Sequence, residues 1–177
     1  MKINRKFAKI LGMALIFWAC DTKENDSNKE EFNYKIASPV YITLTEKSLD
    51  YLSSFEFESF AEMLADSVEY ELPNGEKLIG KTALINFWKV NNSTLGIKSM
   101  KITNANYLPL DATVKLKKND YLGIKVVADF ENNMIFKDRN ISVKMNFNFH
   151  FNQQKLIDQI NTNYDQTLIN KVYNCVL

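Results

Sequence analysis

The sequence contains few of the residues on which metal-binding and redox proteins rely. Its 177 residues include two cysteines, one histidine, five glycines and three prolines. The lone His150 and the distant Cys20 and Cys175 exclude an ordinary zinc cluster, whose ligands lie close together. Basic and acidic residues number 22 and 21, so the chain lacks the positive surplus of a nucleic-acid-binding protein. We therefore expect no metal, no cofactor and no nucleic acid.

The N-terminal residues have the layout of an export signal. Residues 1–9 carry four basic side chains and no acidic one, and an uncharged apolar run over 10–19 precedes Cys20. This layout is typical of a secretory signal peptide, and the run is too short to span a bilayer core of about 30 Å. The small Ala19 before Cys20 resembles a bacterial lipobox, in which the cysteine becomes the lipidated first residue. Two alternatives are an uncleaved anchor and an amphipathic helix packed on the domain.

The segment after Cys20 predicts a flexible tether over residues 20–37. Residues 21–32 are polar and charged, and they cannot bury enough apolar surface to fold. Removing residues 1–19 takes away four basic residues and no acidic one, which turns a net charge of +1 into −3. We expect a protein of the bacterial cell envelope, periplasmic or surface-exposed, whose partner is the lipid membrane through acylated Cys20.

Hydrophobic periodicity predicts one α+β domain over residues 38–177. A spacing of three to four residues predicts helices over 39–54, 57–65, 81–91 and 166–174. Alternating, β-branched or aromatic runs predict strands over 68–72, 97–108, 121–131, 134–136, 141–151 and 156–164, with turns at 73–75, 132–133 and 137–140. Helices first and strands afterwards indicate an α+β layout and not an alternating βαβ one.

Residues 75–82, GEKLIGKT, match the phosphate-binding loop pattern G-x-x-x-x-G-K-[ST]. Three features argue against that function. Glu76 would repel a phosphate, Leu78 and Ile79 favour a strand, and the preceding strand alternates with glutamates instead of being apolar on both faces. We predict a hairpin turn at Gly75, a helix that starts after Gly80, and no nucleotide.

The order of these elements resembles a known superfamily. The stretch FAEMLADSVEYELPNGEKLIGKTALINFW at 60–88, YLPL at 107–110 and FHFNQQKLIDQINTNYD at 149–165 are together similar to the nuclear transport factor 2-like superfamily, in its SnoaL-like and ketosteroid-isomerase-like branches. The resemblance covers about residues 38–165. It implies a cone of three N-terminal helices on a strongly curved, mostly antiparallel sheet, with a short C-terminal helix, an internal pocket and often a homodimer.

The resemblance also implies where ketosteroid isomerase chemistry would lie. The carboxylate base of that enzyme matches Leu72, and its oxyanion-hole tyrosine and aspartate match Ser48 and Phe147. Leucine and phenylalanine can neither take nor donate a proton, so this chemistry is not available here. The ligand-pocket candidates are Tyr70, Leu72, Trp88, Phe147 and Phe149.

Two other titratable residues were weighed as acid–base groups. His150 alternates with the aromatic face of its strand, so we expect it on the outer sheet face. Asp165 matches an acidic position of polyketide-cyclase-like relatives, but it is also placed to cap the final helix, which we favour.

Three functional hypotheses follow. We favour a non-catalytic module that binds a small apolar or amphipathic ligand or a partner protein. The alternatives are a cyclase- or isomerase-type enzyme using Asp165, His150 or a tyrosine, and a structural dimerisation domain with a filled cavity. A pocket of about 300–1,000 Å³ would favour binding or catalysis.

Overall fold

The computed structural model describes residues 34–112, 123–136 and 139–173. These residues contain seven strands and four helices. The strands are β1 (Tyr34–Ile36), β2 (Leu64–Glu71), β3 (Lys77–Ile79), β4 (Ile97–Ala112), β5 (Gly123–Phe136), β6 (Arg139–Phe151) and β7 (Ile157–Tyr164). The helices are α1 (Val40–Ser53), α2 (Phe57–Glu62), α3 (Lys81–Leu95) and α4 (Gln166–Tyr173). The predicted signal peptide, Cys20, most of the tether and Cys175 lie outside the described residues. None of the described helices is long and apolar enough to cross a bilayer.

The strands form one sheet in the order β1-β4-β5-β6-β7-β2-β3. Every neighbouring pair is antiparallel except β2 and β7, which run parallel. The register of β4 shifts between Thr103 and Asn106, and such bulges bend a strand and increase its twist. The predicted α+β class, with helices packed on a mostly antiparallel sheet and a short helix at the end, is confirmed, although β1, β2 and β3 precede the third helix.

Strict alternation along β6 separates the two faces of the sheet. Its apolar residues are buried on the inner face, from Val143 to Phe151, and Asn146, Asn148 and His150 occupy the positions between them. The inner face packs against α1, α2 and α3 through Leu49, Leu52, Phe60 and Leu84. The expectation that His150 lies on the outer face is confirmed.

The predicted turn at Asn132-Asn133 is wrong, because β5 continues through both residues. Asn132 pairs with Ile102 of β4 and Val143 of β6, so it lies in the middle of the sheet. Phe130, Asn132 and Met134 follow one another on the buried face. Pairing with strands on both sides therefore outweighs the turn preference of two consecutive asparagines.

Several element boundaries also differ from those predicted. Residues Tyr34–Ile36, placed in the tether, pair with β4 and form an edge strand. Helix α2 ends at Glu62 instead of residue 65, because the buried Leu64 already belongs to β2. Helix α3 continues to Leu95 and ends at Gly96, whose left-handed conformation (φ 61°) is typical of a helix C-terminus.

The segment that matches a phosphate-binding loop is a β-hairpin followed by a helix. Strand β3 pairs antiparallel with β2 across the turn at residues 73–76, and α3 starts directly after Gly80. The Nζ atom of Lys77 lies 2.5 Å from Oε1 of Glu69, and the Nζ atom of Lys81 lies 3.0 Å from Oδ1 of Asp66. The predicted hairpin turn and helix start are confirmed.

We expect Gly123→Ala to lower the free energy of unfolding by about 1–3 kcal/mol, as overpacking does. A β-carbon at Gly123 would overlap the imidazole ring of His150 and lie 3.1 Å from the backbone oxygen of Phe151. Urea denaturation measures the change. In a His150→Ala background, the same substitution should lower the free energy of unfolding by a clearly smaller amount. An equal cost in both backgrounds would contradict this explanation.

Candidate functional site

A cavity of about 250 Å³ lies between the inner face of the sheet and helices α3 and α4. Its apolar wall consists of Phe55, Phe57, Leu72, Phe87, Trp88, Leu95, Ile97, Met100, Met134, Phe136, Met145, Phe147 and Ile169, and its polar wall of Asn74, Glu76, Asn91, Asn92, Asn132, Tyr164, Gln166 and Asn170. The volume is just below the usual range for ligand sites, about 300–1,000 Å³. It exceeds the roughly 150 Å³ of an apolar cavity that binds benzene.

Three of the five pocket candidates line this cavity. Leu72, Trp88 and Phe147 are on its wall, whereas Tyr70 and Phe149 are completely buried behind it. The Tyr70 ring packs edge-on against Trp88, with 6.1 Å between ring centroids. Burial raises the pKa of Tyr70 far above its usual range, so this phenol stays neutral. Tyr70 and Phe149 thus support the wall and do not contact its interior.

The positions that match the isomerase catalytic groups carry no acid or base into the cavity. Leu72 and Phe147 line it with hydrocarbon. Ser48 is fully buried in α1, where its hydroxyl donates a hydrogen bond to the backbone oxygen of Thr45 at 2.7 Å. Its hydroxyl is therefore engaged within its own helix and is not part of the cavity wall.

The two alternative acid–base candidates do not line the cavity. His150 is on the outer sheet face, where its Nδ1 is 2.5 Å from Oδ1 of Asp158. Asp165 accepts hydrogen bonds from the backbone N–H of Thr167 at 2.9 Å and from its hydroxyl at 2.7 Å. These two bonds make Asp165 the N-cap of α4, as the sequence analysis favoured.

Charged side chains are scarce on the described cavity wall. Glu76 is its one carboxylate, on the exposed turn after β2, and no lysine, arginine or histidine of the described residues lines the cavity. Within the same part of the chain, no group of three or more His, Cys, Asp or Glu side chains is arranged to hold a metal ion. Among the described lining residues, the carboxylate of Glu76 is therefore the one charged group.

Three buried polar atoms of residues on the wall have no hydrogen-bond partner in the described part of the protein. They are Nε1 of Trp88 and the side-chain oxygens of Asn92 and Asn132. Leaving a buried donor or acceptor unpaired costs about 1–3 kcal/mol, so such atoms are rare in folded proteins. Asn132 was not among the predicted pocket residues, because the turn preference of two consecutive asparagines outweighed the alternation around them. The alternation Phe130, Asn132, Met134, Phe136 was the signal that could have placed it on the inner face.

The amides on the outer face behave differently. Asn106, Asp129, Asn146 and Asn163 form a row across β4, β5, β6 and β7. The amide nitrogen of Asn146 donates to Asp129 at 2.6 Å, and Asn148 donates to Asn146 at 2.9 Å. Asn146 and Asn148 thus have partners on the outer face, whereas the side-chain oxygen of Asn161, which pairs with Asn148 on that face, has none among the described residues.

The fold is shared with solved structures of low sequence identity. No protein-family model and no curated protein matches the sequence. A candidate polyketide cyclase from a Silicibacter species is 13% identical with a TM-score of 0.59, and the alignment covers 78% of this chain and 97% of that one. A candidate polyketide cyclase from Xanthomonas campestris is 15% identical with a TM-score of 0.58 and coverages of 75% and 96%.

An epoxide hydrolase-like protein from Mycobacterium tuberculosis has the same architecture. It is 14% identical, with a TM-score of 0.53 and coverages of 75% of this chain and 87% of that one. At such identities the likeness establishes the fold alone, which is the nuclear transport factor 2-like cone. These neighbours bear names of different activities, so the fold does not decide what this chain does.

Acid should loosen α4, which forms part of the cavity wall. The hydrogen bonds from Thr167 hold the pKa of Asp165 below its ordinary value of 3.8. The cap is therefore fully present above that ordinary value and is lost as the pH falls through the lower value of the folded protein. We expect hydrogen exchange of the α4 amides, corrected for intrinsic rates and measured by mass spectrometry, to accelerate below about pH 4 relative to α1.

Two substitutions at Asp165 separate the cap from its charge. Asp165→Ala should give rapid α4 exchange at every pH. Asp165→Asn keeps a capping oxygen without a titrating group and should remove the pH dependence while leaving α4 protected. Exchange in Asp165→Ala that equals the wild type would show that the cap does not hold α4 in place.

Proposed function

We propose that this protein is a non-catalytic binding module that holds a small apolar or amphipathic molecule in the cavity between the sheet and α3 and α4. The observation that carries the proposal is the composition of the wall: aromatic, aliphatic and methionine side chains surround a space of about 250 Å³. Burial of apolar surface is favourable by about 25 cal/mol per Å², so a ligand that fills this space gains most of its affinity from the hydrophobic effect.

The two alternative functions have less support. An enzyme of the cyclase or isomerase type needs a proton donor or acceptor at the substrate, yet His150 and Asp165 do not line the cavity. Tyr164 and Glu76 are the titratable side chains on the described wall, and Glu76 lies on an exposed turn. A purely structural domain would fill its interior with side chains, which the volume of the cavity argues against.

A cavity-filling substitution tests the proposal. Leu72→Trp places an indole where a smaller side chain lines the cavity. We expect it to weaken binding of 2-methylnaphthalene, a neutral two-ring probe, at least tenfold. Isothermal titration calorimetry measures this with the full chain carrying Cys20→Ala, which removes the proposed lipid anchor and the need for detergent.

Val90→Trp is the matched control, because Val90 is 59% exposed on α3 and is not part of the wall. It should bind the probe as the wild type does. Ile169→Phe fills the cavity from α4 and replaces Leu72→Trp if circular dichroism shows that variant to be unfolded. Failure of the wild type to bind either this probe or its hydroxyl analogue 2-naphthol, or equal binding of the probe by the wild type and a folded cavity-filling variant, would refute the proposal.

We further propose that the module is anchored to a bacterial membrane through acylated Cys20. The support is the basic segment, the apolar run and the cysteine at the N-terminus of the sequence. Two signals or chains anchor a protein stably, whereas one acyl chain binds only weakly.

Mass spectrometry of the protein purified from its native membrane tests the anchor. We expect a chain that lacks residues 1–19 and carries acyl groups on Cys20. An intact, unmodified N-terminus would overturn the anchoring proposal without affecting the cavity.

A further inference from the structure

We infer that the ligand is an uncharged one- or two-ring molecule that carries a hydroxyl or amide group, and that this group hydrogen-bonds to Asn132. The inference rests on the proposed binding function and specifies its ligand class. It starts from the buried polar atoms of residues on the cavity wall, because each of them is a hydrogen-bonding group for which the described residues provide no partner.

The orientation of the Asn132 amide decides what it can bind. Its nitrogen lies 3.8 Å from the sulfur of Met100 and 3.9 Å from that of Met145. A thioether sulfur is a weak acceptor and donates nothing, so the NH₂ group belongs on the sulfur side. The reversed orientation would place the carbonyl oxygen against two acceptors. The carbonyl oxygen of Asn132 is therefore left to accept a hydrogen bond from a ligand.

Without a ligand, the buried amide of Asn132 lowers the stability of the protein. It is 7% exposed, in the centre of β5, between the apolar Phe130 and Met134 on the same face. A leucine or methionine there would continue the buried pattern and remove the unpaired oxygen. The residue costs stability in the free protein and gains a partner when a donor enters the cavity.

Helix α3 presents two further open positions on the same cavity. Trp88 and Asn92 are four residues apart, so they lie on one face of the helix, and both line the wall. The indole N–H of Trp88 is an unpaired donor, and the side-chain oxygen of Asn92 is an unpaired acceptor. A hydroxyl or amide group both donates and accepts, which is the combination that these atoms and Asn132 require.

The charge of the wall excludes an anionic ligand. No described cationic side chain lines the cavity, and Glu76 at the exposed turn is negative. Transfer of a carboxylate or phosphate into an apolar space without a cationic partner is strongly unfavourable. A neutral ring system with one polar group thus agrees with the apolar wall, the open hydrogen-bonding positions and the absence of positive charge among the described lining residues.

Two probes of nearly equal shape test the inference. 2-Naphthol and 2-methylnaphthalene differ by a hydroxyl in place of a methyl group, and in a wholly apolar cavity the methyl compound binds more tightly. In the full chain with Cys20→Ala, we expect calorimetry to show about a tenfold preference for 2-naphthol, which corresponds to one well-made hydrogen bond in a buried site. The anion 2-naphthoate should bind at least tenfold more weakly than 2-naphthol.

Asn132→Leu should reverse the preference, so that 2-methylnaphthalene binds more tightly than 2-naphthol. Without ligand, it should also raise the urea concentration at which half of the protein unfolds. Asn133→Leu is the matched control on the same strand, because the Asn133 amide donates to the Thr103 hydroxyl at 2.8 Å and does not line the cavity. This control should keep the preference for 2-naphthol.

The outcomes separate the inference from the function on which it rests. Wild-type binding of both neutral probes with 2-methylnaphthalene preferred would overturn the inference and leave the binding function intact. Loss of the preference in Asn133→Leu as much as in Asn132→Leu would also overturn it. Binding of neither neutral probe would refute the proposed function itself.

Discussion

Burial of one face of the central strands β5 and β6 is the constraint on which the rest of the structure depends. These strands have 14 and 13 residues and extend about 45 Å at 3.3–3.4 Å per residue. Helix α3 has 15 residues and extends only about 22 Å. Since the helices are half as long as the strands, they cannot cover a flat inner face. The sheet has to bend around them, and the short α4 completes the wall where the longer helices end.

The asparagine side chains on the two faces of the sheet lie in different surroundings. On the outer face, Asn146 and Asn148 bond to neighbouring side chains in a solvated row. On the inner face, the amide nitrogen of Asn132 lies near two methionine sulfurs, and its oxygen has no hydrogen-bond donor among the described residues. Asparagine is thus common on the outer face, whereas Asn132 is enclosed among apolar residues of the inner face. Asparagine is abundant in this sequence, so Asn132 stands out by its position in the core and not by its residue type.

The sequence predicted the elements whose signals are local, and it failed where distant residues decide. The spacing of apolar residues located α1, α3 and α4, and alternation located β6 with His150 on the outer face. Asn132 was misplaced because its turn preference is local, whereas its pairing with Ile102 and Val143 comes from residues ten or more positions away. Strand β1 was not predicted, because it has only three residues, which are too few to show a periodic pattern. Its partner, β4, is distant in the sequence.

The cavity was predictable only in part. Leu72, Trp88 and Phe147 were named from the resemblance in element order, and they line the wall. Tyr70 and Phe149 were named on the same grounds but lie one layer deeper, because the sequence indicates which face a residue shares and not how far the neighbouring rings reach. The volume that remains depends on the packing of every wall residue, which no single segment encodes.

The parallel pairing of β2 with β7 determines when the cavity exists during folding. The Thr162 hydroxyl of β7 bonds to the backbone oxygen of Glu71, 91 residues earlier in the chain, and closing so long a loop is entropically unfavourable and slow. Both Tyr164 at the end of β7 and the adjoining α4 contribute to the wall. A growing chain therefore has its N-terminal helices long before the wall is complete, and the cavity forms only when its last strand and helix have docked.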